Sequence, residues 1–148
     1  MKKFVKIECL IESGAYLPEY TTKEAAGADV RAFIEKAVPL LPNQRVLIST
    51  GLRFQIPEGF EIQVRPRSGL AYKYGITVLN SPGTIDSDYR GELKVLLINL
   101  GNEVFVIEPK MRIAQIVVAP IVRADFSFVT ELVSSERGDG GFGHTGVM

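Results

Sequence analysis

Three residue types are scarce in this sequence of 148 residues, which contains one cysteine, one histidine and no tryptophan. The single Cys9 excludes an internal disulfide, and a Cys–His catalytic pair is disfavoured because the one histidine, His144, lies in a glycine-rich tail. No apolar run approaches the ~20 residues of a membrane-spanning helix. Lysine and arginine (17) balance aspartate and glutamate (17), so no general positive field attracts nucleic acid. We therefore expect neither membrane nor nucleic-acid partners.

What is present is typical of one globular domain, since a domain has about 150 residues. Apolar residues (46%) and charged residues (23%) occur at ordinary frequencies, which excludes a disordered chain. From Phe4 onward the N-terminal residues alternate instead of forming an apolar leader, so we expect no signal peptide and a cytoplasmic location. Cys9 alternates with Val5 and Ile7, and we expect it to be a small core residue.

Short strands separated by glycine and proline dominate the pattern. Alternating or β-branched runs predict strands at 4–11, 28–33, 45–50, 60–65, 93–98, 104–107 and 113–119, and a last one around Phe126 and Phe128. Strands at such short spacing favour a sandwich or barrel over βαβ units.

One segment, residues 68–75, is predicted to be helical, with Ser68 as its N-cap and Gly75 as its stop. Arg65 and Arg67 precede it directly. Free backbone N–H groups, a hydroxyl and guanidinium charge would then converge as in a phosphate site. A capped turn with solvated arginines explains the same residues equally well.

Two further segments contain polar residues whose role, catalytic or structural, the sequence alone leaves open. Residues 80–91 place two aspartates and Tyr89 in a turn-rich hairpin, although aspartate and asparagine also form ordinary turns. Gln115 lies in an apolar strand and needs hydrogen-bond partners if it is buried.

Residues 134–146 contain five glycines in thirteen positions, with Phe142 among them. Such a tail is either a frayed end or a lid that orders on binding.

In chain order, five segments resemble the five motifs of the trimeric dUTP pyrophosphatases (dUTPases). They are residues 25–29 (AAGAD), 66–71 (PRSGLA), 80–91 (NSPGTIDSDYRG), 112–115 (RIAQ) and 137–146 (RGDGGFGHTG). His144 stands where that family usually has serine, Thr84 replaces an apolar residue and Ala28 replaces an aromatic one.

The resemblance implies an all-β, jelly-roll-like β-barrel of the dUTPase-like β-clip type, with one short helix, over residues 1–133. Residues 134–148 would form a flexible arm that closes over a neighbouring active site. It also implies a homotrimer with three sites at subunit boundaries. Each site would take its third motif from one chain, its first, second and fourth from a neighbour, and the tail from the third chain.

The implied reaction is hydrolysis of dUTP to dUMP and pyrophosphate by attack of water on the α-phosphorus. Asp86 would orient and deprotonate the water, Gln115 would hold the water or a phosphate oxygen, and Ser68 would donate to the oxygen bridging the α and β phosphates. Mg²⁺ chelated by the phosphates would complete its shell largely with water. Asp29 would act on the ion through those waters.

The third motif would select uracil and deoxyribose, with Tyr89 packed on the sugar and Phe142 stacked on the base when the tail closes. The resemblance implies this substrate-binding set: Arg67, Ser68, Gly69, Asn80, Gly83, Thr84, Ile85, Asp86, Tyr89, Gln115, Arg137, Phe142, Gly143, His144 and Thr145. Two alternatives are a dCTP deaminase-like enzyme, whose pocket needs a glutamate poised on the base, and a non-catalytic trimer that senses dUTP.

Overall fold

A computed structural model describes residues 4–147 and shows a mostly β protein with one short helix. Its elements, in chain order, are β1 (Glu8–Ile11), β2 (Ala28–Arg31), β3 (Val38–Leu40), β4 (Arg45–Gln55), β5 (Phe60–Arg65), α1 (Ser68–Tyr74), β6 (Ile76–Val78), β7 (Gly83–Ile85), β8 (Glu92–Asn99), β9 (Phe105–Ile107) and β10 (Arg112–Pro120). No helix within residues 4–147 is long and apolar enough to cross a membrane.

All the strand pairs are antiparallel and form three sheets. One four-stranded sheet has the order β1-β4-β8-β6, the other has the order β2-β10-β5-β7, and β3 pairs with β9. Both larger sheets contribute to a single apolar core, in which Leu52 and Val95 of the first meet Ile62 and Ile113 of the second. The jelly-roll-like, all-β prediction is confirmed, although the described strands do not close into one continuous barrel.

The alternation that predicted the strands corresponds to their burial. In β5, Ile62 and Val64 are buried and the residues between them face outward. In β8 the same alternation holds, with Leu96 and Ile98 half-buried, so the second face of this strand is only partly covered. Cys9 packs against the core as predicted, and burial raises the pKa of its thiol. A protonated thiol there acts as a small apolar side chain.

The predicted last strand around Phe126 and Phe128 is absent. Both rings are more than nine-tenths exposed, and residues 121–129 contain no strand. The N–H of Ile121 donates to the carbonyl of Gly59 at 3.0 Å, at the point where the chain leaves the sheets. A strand needs a neighbouring edge to pair with, and beyond this point the chain runs clear of its own sheets.

Candidate functional site

The sheet β2-β10-β5 places three of the sequence motifs side by side. Gln115, in the middle strand, lies opposite Asp29 on one side and Arg65 on the other. Since β5 continues through Pro66 into α1, the start of the helix lies at the same edge of the sheet. The first, second and fourth motifs therefore meet within one chain.

Asp29 is the centre of a charged cluster at this edge. Its side chain is only 13% exposed, and its Oδ1 lies 3.2 Å from Nε of Arg67. Its Oδ2 accepts a hydrogen bond from Nη1 of Arg112 at 3.4 Å. Nη1 of Arg67 also donates to the Arg112 carbonyl at 3.3 Å. Two guanidinium groups around one carboxylate leave a net positive charge, which suits an anionic ligand.

Gln115 is fixed beside this cluster. Its Nε2 donates to the carbonyl of Pro66 at 3.0 Å, so the half-buried amide has the partner that its position requires. The backbone of Gly27 lies so close to Oε1 that a Cβ there would collide with it. Gly27 thus allows the first motif to pack directly on the amide of the fourth.

The helix begins one residue earlier than predicted. Arg67, in an extended conformation, is the N-cap residue, Ser68 is the first helical residue, and no side chain caps this end. The prediction of Ser68 as N-cap is therefore wrong. With φ of −91° and ψ of 127°, the Arg67 backbone continues the extended direction of β5, and the helix starts directly after it. At the other end Gly75 has φ of 69° and ends the helix as predicted.

A second feature lies on the third motif. A cavity of about 300 Å³ is lined by Leu47, Thr84, Ile85, Asp86, Tyr89, Glu92 and Lys94. The Tyr89 hydroxyl donates to the carbonyl of Glu92 at 3.0 Å. Its ring lies over Gly91, where a Cβ would collide with the ring. Asn80 lies beside the turn, with its Nδ2 close to Gly83. The cavity combines apolar side chains such as Leu47 and Ile85 with the charged side chains of Asp86, Glu92 and Lys94, a lining that suits a small polar molecule.

The sequence did not predict Leu47, Glu92 or Lys94 as wall residues. Leu47 lies on β4, remote in sequence from every motif. Glu92 and Lys94 directly follow the third motif, but their alternation with buried residues has the ordinary appearance of a strand face.

Asp86 and the charged cluster lie at different levels along β5. Strand β7 runs antiparallel to β5, with Gly83 opposite Val64 and Ile85 opposite Ile62. Asp86 therefore continues toward the start of β5, about four residues from the level of Arg65. At ~3.4 Å per residue this separation is about 14 Å. One chain does not bring Asp86 together with the cluster around Asp29.

The predicted tail residues also lie apart from both features. Nε of Arg137 donates to the Gly140 carbonyl at 2.8 Å, and the N–H of His144 donates to the Gly141 carbonyl at 3.0 Å. These bonds close local turns within the tail. Phe142 is fully exposed. Gly143 and Thr145 lie in the same exposed turns.

Residues 4–147 hold no group of three or more histidine, cysteine, aspartate or glutamate side chains that could bind a metal ion. Both oxygens of Asp29 already face guanidinium groups, at 3.2 and 3.4 Å. A metal enclosed by protein ligands alone therefore does not fit the described residues. An ion held mainly by ligand phosphates and water fits, with Asp29 accepting hydrogen bonds from that water.

Comparison with known proteins agrees with this geometry. The sequence matches the dUTPase family over residues 14–146. It is 66% identical over 139 residues to the deoxyuridine 5'-triphosphate nucleotidohydrolase of Chlamydia pneumoniae, covering 93% of this chain and 96% of that protein. The protein of the same name from Chlamydia trachomatis serovar D is 57% identical over 143 residues, covering 96% of this chain and 99% of that one.

Among solved structures, the dUTPase of Staphylococcus bacteriophage 80alpha with dUPNHPP superposes with a TM-score of 0.83 at 29% identity. The superposition covers 96% of this chain and 99% of that chain. The shared fold, the motifs that the sheets bring together and the match over nearly the whole sequence lead to one conclusion: this chain belongs to the dUTPase family.

Proposed function

We propose that this protein hydrolyses dUTP to dUMP and pyrophosphate in the cytoplasm, by attack of water on the α-phosphorus. The observation that carries the proposal is a nucleoside-sized cavity with Asp86 in its wall, on a chain whose close relatives are named deoxyuridine 5'-triphosphate nucleotidohydrolase. Removal of dUTP keeps uracil out of DNA, and the product supplies dUMP for thymidylate synthesis.

Asp86 is the base in this proposal. Its carboxylate is exposed beside the sugar-selecting Tyr89, where water reaches it directly. It orients the water and accepts its proton as the new P–O bond forms. Gln115, whose Nε2 is committed to Pro66, keeps its Oε1 for the water or for a neighbouring donor.

The charged cluster at the end of β5 binds the phosphates. The Ser68 hydroxyl is exposed and does not cap the helix, so it can donate to the oxygen that bridges the α and β phosphates. The backbone at Gly69 is open, with no atom within 4 Å of a Cβ placed there, and phosphate oxygens can approach it. Arg67 contributes charge while Asp29 holds its guanidinium.

Magnesium is the ion proposed for this site. Asp29 would hold it through water, consistent with a carboxylate whose oxygens already face two arginines. When bound, Mg²⁺ neutralises charge on the triphosphate. The cluster alone does not neutralise such a ligand, because Asp29 cancels one of its two positive charges.

The complete site is composed of three chains in this proposal. The separation of about 14 Å within one chain supports it, because Asp86 then meets the phosphate cluster of a neighbour rather than its own. We propose a homotrimer in which residues 1–133 form the barrel domain and residues 134–148 form an arm over a neighbouring site. Exposed apolar side chains at Phe126, Phe128 and Val133 support a partner surface for the chain beyond β10.

Base and sugar are selected at the third motif. The Asn80 side chain and the backbone of Gly83, Thr84 and Ile85 present donors and acceptors to uracil, and Tyr89 packs on deoxyribose. From the arm of another chain, Phe142 stacks on the base and Arg137 contacts the γ-phosphate. Gly143, His144 and Thr145 supply the remaining contacts of the arm.

Pyrophosphate release, measured across the four deoxynucleotides and dUTP with UTP as control, tests the function. We expect release from dUTP alone and its loss in Asp86→Asn. Ammonia released from dCTP would instead show a deaminase, and tight dUTP binding without any product would show a sensing trimer. Either result contradicts the proposal.

A further inference from the structure

Glu92, the first residue of β8, contacts two other residues of the cavity wall and the neighbouring strand β4, although the proposed reaction assigns it no role. Its side chain is only 18% exposed, and Oε2 lies 4.0 Å from Nζ of Lys94. Oε1 accepts the N–H of Gly51 at 2.9 Å, and the Ser49 hydroxyl donates to Oε2 at 3.5 Å. Its backbone carbonyl accepts the Tyr89 hydroxyl at 3.0 Å.

The contact with Gly51 anchors the carboxylate to an irregularity in β4. Ser49 lies opposite Lys94 and Arg53 lies opposite Glu92, so residues 50–52 all face the single residue between them on β8. This bulge takes the Gly51 N–H out of the ladder of strand hydrogen bonds, and the Glu92 carboxylate satisfies it. Gly51 itself has φ of 70° and is buried, which a residue with a side chain tolerates poorly.

The other contacts face the cavity. Lys94 carries its charge on a flexible stem that is 46% exposed, so its position depends on what holds the ammonium. Among the described ion pairs its partner is Glu92, whose carboxylate the bulge keeps in place. Tyr89 is fixed through the backbone of the same residue.

We propose that Glu92 is a positioning residue for nucleotide binding. Its carboxylate, fixed by the bulge in β4, sets where the Lys94 ammonium stands in the cavity wall, and its carbonyl sets the ring of Tyr89. The inference rests on the proposed function, because it takes the cavity to be the deoxynucleoside site.

Glu92→Gln tests the carboxylate while preserving the bulge, because the amide oxygen still accepts the Gly51 N–H. The loss is the charge that faces Lys94. We expect KM for dUTP and the calorimetric Kd for dUMP each to rise about fivefold, the size expected of a half-exposed ion pair, with kcat and thermal midpoint nearly unchanged. Lys94→Gln should raise both constants similarly. The double variant should be no weaker than Lys94→Gln alone, since the carboxylate then has nothing to orient.

Glu61→Gln is the matched control, because Glu61 also accepts a side-chain hydrogen bond, from Nε2 of Gln63, but lies outside the cavity. We expect it to leave every constant unchanged. Unaltered binding in Glu92→Gln, or effects that multiply in the double variant, would overturn the proposal.

If Glu92→Gln fails to fold, Lys94→Met gives the answer, because it removes the ammonium that Glu92 faces and leaves the bond from the Gly51 N–H to Glu92 in place. Weaker binding at constant kcat supports positioning, whereas a parallel loss of kcat and thermal midpoint shows a purely structural role and overturns it. A wild-type protein that neither hydrolyses dUTP nor binds dUMP removes the proposed function as well. If the wild-type protein is active and Glu92→Gln leaves nucleotide binding unchanged, only this inference is contradicted.

Discussion

At its C-terminal end β5 leads into Arg67 and Ser68, where two guanidinium groups surround Asp29. Through Ile62–Val64 the same strand pairs with β7, which carries the third motif and leads to Asp86 and a cavity of about 300 Å³. One region suits phosphates and the other suits a nucleoside. A nucleotide must contact both, yet about 14 Å separates them on one chain. Because Asp86 must reach the α-phosphate that the cluster would hold, this separation supports the proposal that each chain supplies parts of two different sites.

Removing the Asp86 carboxylate should have the largest effect on activity. Asp86→Asn keeps the cavity but loses the base, so kcat should fall by about 10²–10⁴ while nucleotide binding persists. Steady-state pyrophosphate release and dUMP calorimetry measure the two quantities. A variant that retains wild-type turnover would contradict the assignment of Asp86.

Removing the tail should have the next largest effect. A chain ending before Ser134 loses Phe142 and Arg137, so kcat/KM should fall about 10- to 100-fold, because base stacking alone contributes about 1–3 kcal/mol. Thermal unfolding is the control. The tail's bonds are local to it, and the unfolding midpoint should therefore stay close to that of the full chain.

Replacing Tyr89 should have a smaller effect, on the preference for deoxyribose over ribose. Tyr89→Ala opens space beside Gly91, so the preference for dUTP over UTP should narrow about tenfold or more, as expected for space at one substituent. The ratio of the two kcat/KM values measures it. A folded variant with an unchanged ratio would show that another residue excludes the 2'-hydroxyl.

Replacing His144 should have the smallest effect on kcat/KM. A neutral imidazole donates one hydrogen bond as serine does, so His144→Ser should stay within about threefold of wild-type kcat/KM. Its only described hydrogen bond uses the backbone N–H, not the ring. A loss comparable to that of Asp86→Asn would reveal a catalytic imidazole.

The sequence predicted the fold where burial follows alternation. Strand β5 was recognisable because one face is apolar, and Gly75 ends the helix as its lack of a side chain predicts. The three-residue strands β3, β6 and β7 were not predicted, whereas β9, equally short, was predicted from its continuous apolar residues. Pro39 in β3 and Gly83 in β7 are residues that favour turns.

The site was predictable as motifs but not as an assembly. Asp29, Gln115 and Asp86 stand out as polar residues in apolar or turn-rich settings. The ion pair between Arg67 and Asp29 depends on pairing between strands distant in sequence. The same holds for Leu47 in the cavity wall. The strand around Phe126 and Phe128 was wrongly predicted. Its apolar residues have the pattern of a strand, but no strand edge of the same chain lies beside them.

Mixed trimers test the shared site most directly. One variant carries Asp86→Asn and the other ends before Ser134, and each homotrimer alone should keep at most about a tenth of the wild-type kcat/KM, given the losses expected of the two changes. After co-refolding, a truncated chain can supply Asp86 while an Asp86→Asn chain supplies the tail, so some sites are complete. With mixed trimers confirmed by native mass measurement, we expect pyrophosphate release from dUTP to recover well above the sum of the two homotrimers. Mixed trimers that remain as inactive as their parents would show that each chain closes over its own Asp86, and would contradict the account.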